Sequence, residues 1–374
     1  MYEFKMESWQ EEGQWQGQIK NMVNSLEKLN QYIDITPDEE KAIKTLNMRW
    51  GTTPYYASLM DRDDPDCPIR KMVIPSMKED ENEHGIPNYL VFKENREKTD
   101  RFGEDEKRPD SVARQYDDRV AFTITDVCPS YCRYCFRREA VIDQELRLRF
   151  DADEGLEWIR RHEEIRDVLL TGGDPLMLSD KDIKYLIDSL RSIPHLEMIR
   201  IHTKMPITCP QRITKDLLEI LGQEHDTPIW MNVHINHPKE ITDKVKKVIW
   251  DITHTGINVG NQGVVLKGIN DDVDTFRKLH QKLLSVRIRP YYMFHCQLAP
   301  GVDHFRAPVE KGAELIRDGI RGHTSGLAQP MYAVSTNYGK IPLMPDYYIK
   351  GNGGVRYKLR SYKDDITYLP YIPE

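Results

Sequence analysis

TDVCPSYCRYCFRRE, residues 125–139, places Cys128, Cys132 and Cys135 within eight positions, half of the six cysteines in a chain of 374 residues. Three residues separate the first pair of thiols and two the second. A structural zinc site closes with four ligands, and Cys67, Cys209 and Cys296 are scattered singly and read as isolated thiols, the last two as core residues. A cubane iron–sulfur cluster has four irons, so three thiolates leave one iron open to an outside ligand. Just upstream, VAFTITD (120–126) reads as a β-strand, so the thiols ride on the loop that follows it.

Working outward from that strand, a rhythm of about thirty residues appears. VLLTGGD (168–174), MIRIHTK (198–204), IWMNVHI (229–235), INVGNQGVVL (257–266) and RPYYMFH (289–295) are β-rich runs. Between them lie SDKDIKYLIDSLRSI, TKDLLEILG, ITDKVKKVIWDITHTG and DVDTFRKLHQKLLSV, which carry apolar residues at helical spacing. Six strand–helix units imply parallel strands with right-handed crossovers. The even spacing favours a partial (β/α)6 barrel over a flat doubly wound sheet. Chemistry in such folds gathers at the C-terminal ends of the strands. The polar signals TDVC, TGGD, HTK, NVH, GNQG and FHCQ all fall there.

The first ~110 residues read differently. Ile19, Met22, Val23, Leu26 and Leu29 recur at helical spacing, and ITPDEEKAIKTL offers Thr36 as N-cap, Pro37 at the first helical position and acids in the first turn. The expected organisation is a helical N-terminal region (1–110), the barrel (111–300) and a short C-terminal segment (301–374). The charge run KENREKTDRFGEDEKRPDS (93–111) reads as a solvated loop or linker. Charged residues make up 30% of the chain and the net charge is −7, with no basic excess that would point to nucleic acid. No apolar run approaches the length of a membrane span, and the N-terminus lacks a signal peptide's apolar stretch. A cytoplasmic setting is expected, in which clustered thiols stay reduced and bind metal rather than form disulfides.

CxxxCxxC on the loop after the first strand of a (β/α) barrel resembles the radical S-adenosylmethionine superfamily. The resemblance implies a [4Fe–4S] cluster on Cys128, Cys132 and Cys135, with S-adenosylmethionine chelating the open iron and yielding a 5′-deoxyadenosyl radical. Tyr134 matches the aromatic near the adenine. Gly172, Gly173 and Asp174 match the motif at the S-adenosylmethionine amino group. A structural zinc site or an electron-transfer role is the bland alternative for the thiols, and an ordinary turn is the alternative for Gly-Gly-Asp.

CRYCFRRE, RDVLLTGGDPLMLSD, PQRIT, HINHPKEIT, GNQGVVLKGIND, RPYYMFHC, DHFRAPVEKG, RGHTSG and GKIPLMPDY, taken in order, resemble the lysine 2,3-aminomutase family. That resemblance implies pyridoxal 5′-phosphate held covalently by a catalytic lysine, here Lys340, which alone would read as a solvated surface lysine. It implies transfer of the α-amino group of a free L-amino acid to Cβ, with the radical breaking an unactivated C–H bond. Arg119 and Tyr116 match its phosphate-binding segment, although an upstream arginine of that segment falls on Gln115, beside Arg114. Arg137 matches the arginine for the substrate carboxylate, against the alternative of a surface arginine in a trio with Arg133 and Arg138. His234 and Gln262 match polar residues of the cofactor cavity, His234 having the alternative of a hydrogen-bonded histidine at a strand end.

The two aspartates that hold a lysine ammonium in that family fall on Gln297 and Ser335, so the expected substrate is an amino acid with a polar neutral or small side chain, Asp303 being a nearby charge that could substitute. Lysine or glutamate 2,3-aminomutase proper is the alternative. Another radical isomerisation, and a non-catalytic iron–sulfur or zinc-binding regulator, are the competing readings. The resemblance also implies a reducing partner such as flavodoxin or ferredoxin and leaves room for a homo-oligomer. No zinc is expected, because the chain's C-terminus lacks the family's zinc cysteines and Asp272 stands at the partner position.

Overall fold

A computed structural model describes residues 13–81, 108–141, 152–336, 339–345, 348–349, 356–360 and 366–370. Its centre is a nine-stranded sheet in simple sequence order: β1 (Val112–Tyr116), β2 (Arg119–Thr123), β3 (Asp167–Thr171), β4 (Met198–Thr203), β5 (Ile229–Val233), β6 (Asn258–Val265), β7 (Arg289–His295), β8 (Met331–Thr336) and β9 (Gly339–Pro342). Strands β2 to β8 are parallel, and antiparallel β1 and β9 flank them. The six strands expected from sequence are β2 to β7. The sheet then continues through β8 and β9, from the stretch assigned by sequence to a separate C-terminal segment. A small antiparallel sheet follows, made of Tyr348–Ile349, Arg356–Arg360 and Ile366–Pro370.

The sheet curls into a barrel because its first and last strands touch. The Tyr116 hydroxyl, at the end of β1, accepts a 2.9 Å hydrogen bond from the backbone N–H of Lys340 on β9. Strand alternation sorts side chains into two faces. On β4, Ile199, Ile201 and Thr203 are buried while Arg200 and His202 are only half-buried. The aliphatic set packs against the helices, joining Phe122, Val168, Leu170 and Met231 with Trp158, Ile187, Leu217, Ile249 and Leu283 in one core. Each such side chain contributes about 1.5–3 kcal/mol. The opposite set, rich in polar groups, lines the lumen.

The outer helices stop and start where their caps dictate. Asp180–Arg191, Lys215–Leu221, Asp243–His254 and Val273–Ser285 begin after Ser179, Thr214, Thr242 and Asp272, each of whose side chains accepts from a first-turn N–H. The N-terminal region is a string of short helices. Pro37–Thr45 has the full capping box, Thr36 with Glu39. The apolar periodicity across 15–29 is broken into Gln14–Lys20 and Leu26–Leu29, because Ser25 caps a new helix and Val23 bridges to Thr52. The charge run 93–111 lies outside the described residues except for 108–111. Among the described residues no helix is long and apolar enough to cross a membrane.

Candidate active site

The cysteine loop leaves β2 and lies along the end of β3. Gly173 N–H donates to Thr125 O at 2.6 Å and Asp174 N–H to Val127 O at 2.8 Å. A Cβ on Gly172 would stand 2.2 Å from Thr125 O, and one on Gly173 2.3 Å from Val127 O. Gly172 also has φ +134°, a conformation open to glycine. By resemblance Gly172 and Gly173 belong beside the S-adenosylmethionine amino group; in the structure their close neighbour is the thiol loop's own backbone.

Cys128, Cys132 and Cys135 are free thiols, each half-buried. Burial is the main cause that pushes Cys128 well up, with Asp174 and the two other thiols adding to it, and it lifts Cys135 to about 11, Cys132 adding to it. The three sulfurs therefore lie within electrostatic reach of one another. Among the described residues no set of three or more His, Cys, Asp or Glu is drawn together to hold one metal ion, and a cubane spaces its ligands more widely than a single ion does. Cys128 and Cys135 resist ionising until a cation neutralises them, so the donor set fits a cationic iron–sulfur core.

Arg137 turns into the barrel mouth, where Nη1 donates to Thr171 Oγ1 at 2.6 Å and to Gly172 O at 2.8 Å. Its neighbours do not form a surface trio with it. Arg133 and Arg138 are buried and ion-paired. Asp174 is buried, and burial raises its carboxyl pKa. Its oxygens accept from Thr203 Oγ1 (2.7 Å), Lys204 N (2.7 Å) and Leu176 N (3.1 Å). The carboxylate thus ties β3 to β4 and keeps little acceptor capacity for a ligand.

Tyr134, His234 and Gln262 meet on the far side of the mouth. His234 Nδ1 lies 2.6 Å from Gln262 O. A carbonyl only accepts, so Nδ1 carries the proton and Nε2 accepts from the Tyr134 hydroxyl at 2.9 Å. Burial, with Lys204 nearby, lowers His234 to about 4, so it is neutral. Four residues not singled out in the sequence complete this network. Asn236 Nδ2 donates to the Tyr134 hydroxyl at 2.7 Å, Lys204 Nζ to Glu240 at 2.6 Å, and the Tyr56 hydroxyl to the same Glu240 oxygen at 2.6 Å. Lys204 was within reach of sequence reasoning as part of the polar HTK strand end, and Asn236 and Glu240 lie within HINHPKEIT, a stretch of the family resemblance in which neither was singled out.

Deeper in the lumen stands Lys340, with its ammonium 5.5 Å from the Tyr116 ring centre and 5.7 Å from that of Tyr292. Arg119 lies over Tyr116 at 4.4 Å. Burial lowers Lys340 to about 8, helped by Arg200 and Arg119. The structure thus gathers Lys340, Tyr116 and Arg119. Gln115 is exposed and Arg114 is committed to Glu164 and the Asp117 carbonyl, so neither extends the group. Ser335 pairs directly across from Lys340, which puts both side chains on one face. Gln297 is half-buried just past β7. Asp303 is paired with Arg306 at 2.5 Å. Cys209 and Cys296 are buried, as core residues should be.

Arg200 and His202 are the other residues that sequence reasoning left unassigned. Arg200 Nε donates to Asp167 at 2.8 Å and His202 Nε2 is 2.9 Å from Asn232 Nδ2. Burial depresses His202 strongly, and Arg200, Arg137, Lys340 and His234 all add to the effect. His202 therefore lies in the field of the mouth and of Lys340 alike.

Residues 122–279 match the Radical SAM superfamily. The chain is 41% identical to an L-lysine 2,3-aminomutase of Fusobacterium nucleatum, with 96% of this chain and 82% of that protein covered. It is 40% identical to an L-lysine 2,3-aminomutase of Bacillus subtilis (98% and 76% covered) and 36% identical to a glutamate 2,3-aminomutase of Clostridioides difficile (89% and 76% covered). With such identity along nearly its whole length, the chain belongs to the lysine 2,3-aminomutase family of radical S-adenosylmethionine isomerases, whose cofactors are a [4Fe–4S] cluster, S-adenosylmethionine and pyridoxal 5′-phosphate.

Proposed function

We propose that this radical aminomutase is a pyridoxal phosphate-dependent 2,3-aminomutase acting on a free L-α-amino acid whose side chain carries no positive charge. The observation that supports the reading is the hydrogen-bonded placement of Arg137 at the end of β3, beside the thiol loop, with His202 on β4 within electrostatic reach of both Arg137 and Lys340. When bound, the cluster with S-adenosylmethionine supplies a carbon radical able to take hydrogen from an unactivated carbon, and pyridoxal phosphate supplies a conjugated ring that shares an unpaired electron.

The chain's own residues bind and orient. Cys128, Cys132 and Cys135 hold the cluster. Tyr134, Gly172, Gly173, Asp174, His234 and Gln262 form the S-adenosylmethionine side, with Asp174 acting mainly through the backbone it fixes. Lys340 anchors pyridoxal phosphate, and Arg119 with Tyr116 faces its phosphate. Arg137, fixed through Nη1, offers its remaining guanidinium edge to the substrate carboxylate, a geometry suited to a fork. Gln297 and Ser335 face the substrate's distal end. A small one-electron donor such as flavodoxin or ferredoxin, a cytoplasmic setting and a homo-oligomeric assembly complete the reading.

The charge of the lumen supports the substrate class. Arg137, Arg200 and Lys340 lie within electrostatic reach of His202, and Arg119 of Lys340. Their carboxylate neighbours are taken, Asp118 by Arg119 and Asp167 by Arg200, and Asp303 is taken by Arg306. A second ammonium buried there would lose several kcal/mol for want of a counter-ion. The relatives' names, lysine for some and glutamate for another, do not choose between side chains.

Anaerobically reconstituted, reduced enzyme offered lysine, glutamate, glutamine, arginine and alanine separately tests this, with β-amino products read by mass spectrometry. Glutamine or alanine should turn over at least about tenfold better than lysine, equivalent to 1.4 kcal/mol. Lysine as the best substrate overturns the assignment of Gln297 and Ser335. Substrate loss without a β-amino product overturns the reaction.

A further inference from the structure

Two arginines bracket Cys135. Arg133 lies between the second and third thiols and Arg138 three residues after the third. Neither faces solvent. Both reach back to Glu79, at the end of the N-terminal helical region, whose side chain is fully buried. Glu79 accepts from Arg133 Nε at 2.9 Å and Nη2 at 2.6 Å, and from Arg138 Nη2 at 2.7 Å. Arg138 Nη1 then donates to Arg133 O at 3.1 Å and Gly301 O at 3.2 Å. The N-terminal region also grips the loop's backbone. Tyr131 N–H donates to Gly51 O at 3.0 Å, Arg133 N–H donates to Met72 O at 2.8 Å, and Thr52 bridges Ser130. The thiol loop is thus held on one side by Gly172–Asp174 and on the other by a segment more than fifty positions upstream.

Two guanidiniums against one carboxylate leave a buried surplus of one positive charge in the thiol loop, within reach of Cys135. A triad that served stability alone gains little from that surplus, because buried ions are costly to desolvate. Next to thiolates the surplus has a use. It offsets the negative charge of a thiolate-ligated cluster.

We infer that Glu79 is a positioning residue for the metal centre: it fixes Arg133 and Arg138 around Cys135 and holds the thiol loop in its ligating shape before metal arrives. The inference rests on Cys128, Cys132 and Cys135 being the cluster ligands. It makes the N-terminal region part of the metal site.

The test is Glu79→Gln in the full chain, which keeps the shape and removes the charge. After anaerobic reconstitution and treatment with a chelator, iron retained per chain should fall, with an apparent affinity loss of roughly 10–100-fold. In the metal-free chain, alkylation of Cys128, Cys132 and Cys135 should speed up, while pyridoxal phosphate fixed at Lys340 by borohydride stays unchanged. Wild-type iron retention together with the wild-type electron paramagnetic resonance signal of the reduced cluster overturns the inference.

Should Glu79→Gln fail to fold, the combined change Glu79→Leu, Arg133→Met, Arg138→Met removes all three charges while keeping the volume apolar. That protein should fold and retain less iron with an altered signal; a wild-type signal and iron content in it overturns the inference equally. Cys132→Ser is the control for the underlying assignment. If it retains iron as wild type does, the cluster reading has failed rather than the role of Glu79.

Discussion

Lys340 shows how far one residue's chemistry is set by its neighbours. On the surface it would hold its proton to 10.5; here burial first, then Arg200 and Arg119, bring it to about 8, with Asp167 pulling weakly the other way. A neutral amine is the nucleophile that a carbonyl cofactor needs. Reaction of added pyridoxal phosphate with metal-free protein, trapped by borohydride, should therefore quicken about tenfold per pH unit at first and level off near pH 8. A rate still climbing at pH 9.5 would show an ordinary lysine. The sign for stability follows from the same shift. The unfolded chain keeps this proton to higher pH than the native one, so this group makes folding more favourable as pH rises from about 8 to 10.5.

The sequence could not show any of this directly. A lysine after glycine is unremarkable, and it was the surrounding GKIPLMP pattern that singled it out. Arg200 and Asp167, which share its electrostatics, are 33 residues apart in the chain. Glu79 is 54 residues from Arg133. Neither pair has a local spacing to betray it.

At the scale of elements, the junction of β2 with β3 controls the site. The thiol loop can lie where it does because Gly172 and Gly173 offer no Cβ. Gly173→Ala would put a carbon 2.3 Å from the Val127 carbonyl oxygen, and backbone, unlike a flexible side chain, has nowhere to go. The loop must move, at a cost of order 1–3 kcal/mol in strained backbone. The variant should keep its circular dichroism spectrum but lose most of its reconstituted iron, measured by a colorimetric assay. Full iron loading would show that the loop tolerates the shift.

Elements with a strong pattern were legible from sequence. Strands β2 to β7 alternate or run apolar, and the four long outer helices each carry an N-cap residue followed by helical spacing. Strands β1, β8 and β9 were not. VARQY has little apolar alternation, GKIP contains a glycine and a proline, and MYAVST follows a short helix and a π-helical turn (Leu315–Ile320) instead of a regular crossover helix. Their stability comes from their neighbours in the sheet, which a single-chain pattern does not contain.

At the scale of the whole molecule, the barrel is closed where its chemistry is anchored. Among the described residues β1 and β9 are not paired by a backbone ladder; the Tyr116 hydroxyl joins them by accepting from Lys340 N–H. The same ring lies under Lys340 Nζ and Arg119. Closure of the sheet and placement of the lysine are thus one event, and the thiol loop lies at the opposite end of β2. Tyr116→Phe separates them, because it keeps the ring and removes the acceptor. A single such hydrogen bond is worth about 0.5–1.5 kcal/mol, so pyridoxal phosphate retention after dialysis should weaken roughly three- to tenfold. Iron content and the signal of the reduced cluster should not change, since the thiol loop is held by β3 and the N-terminal region. If Tyr116→Phe loses iron as readily as pyridoxal phosphate, the two ends of the lumen are coupled through the barrel and closure serves both.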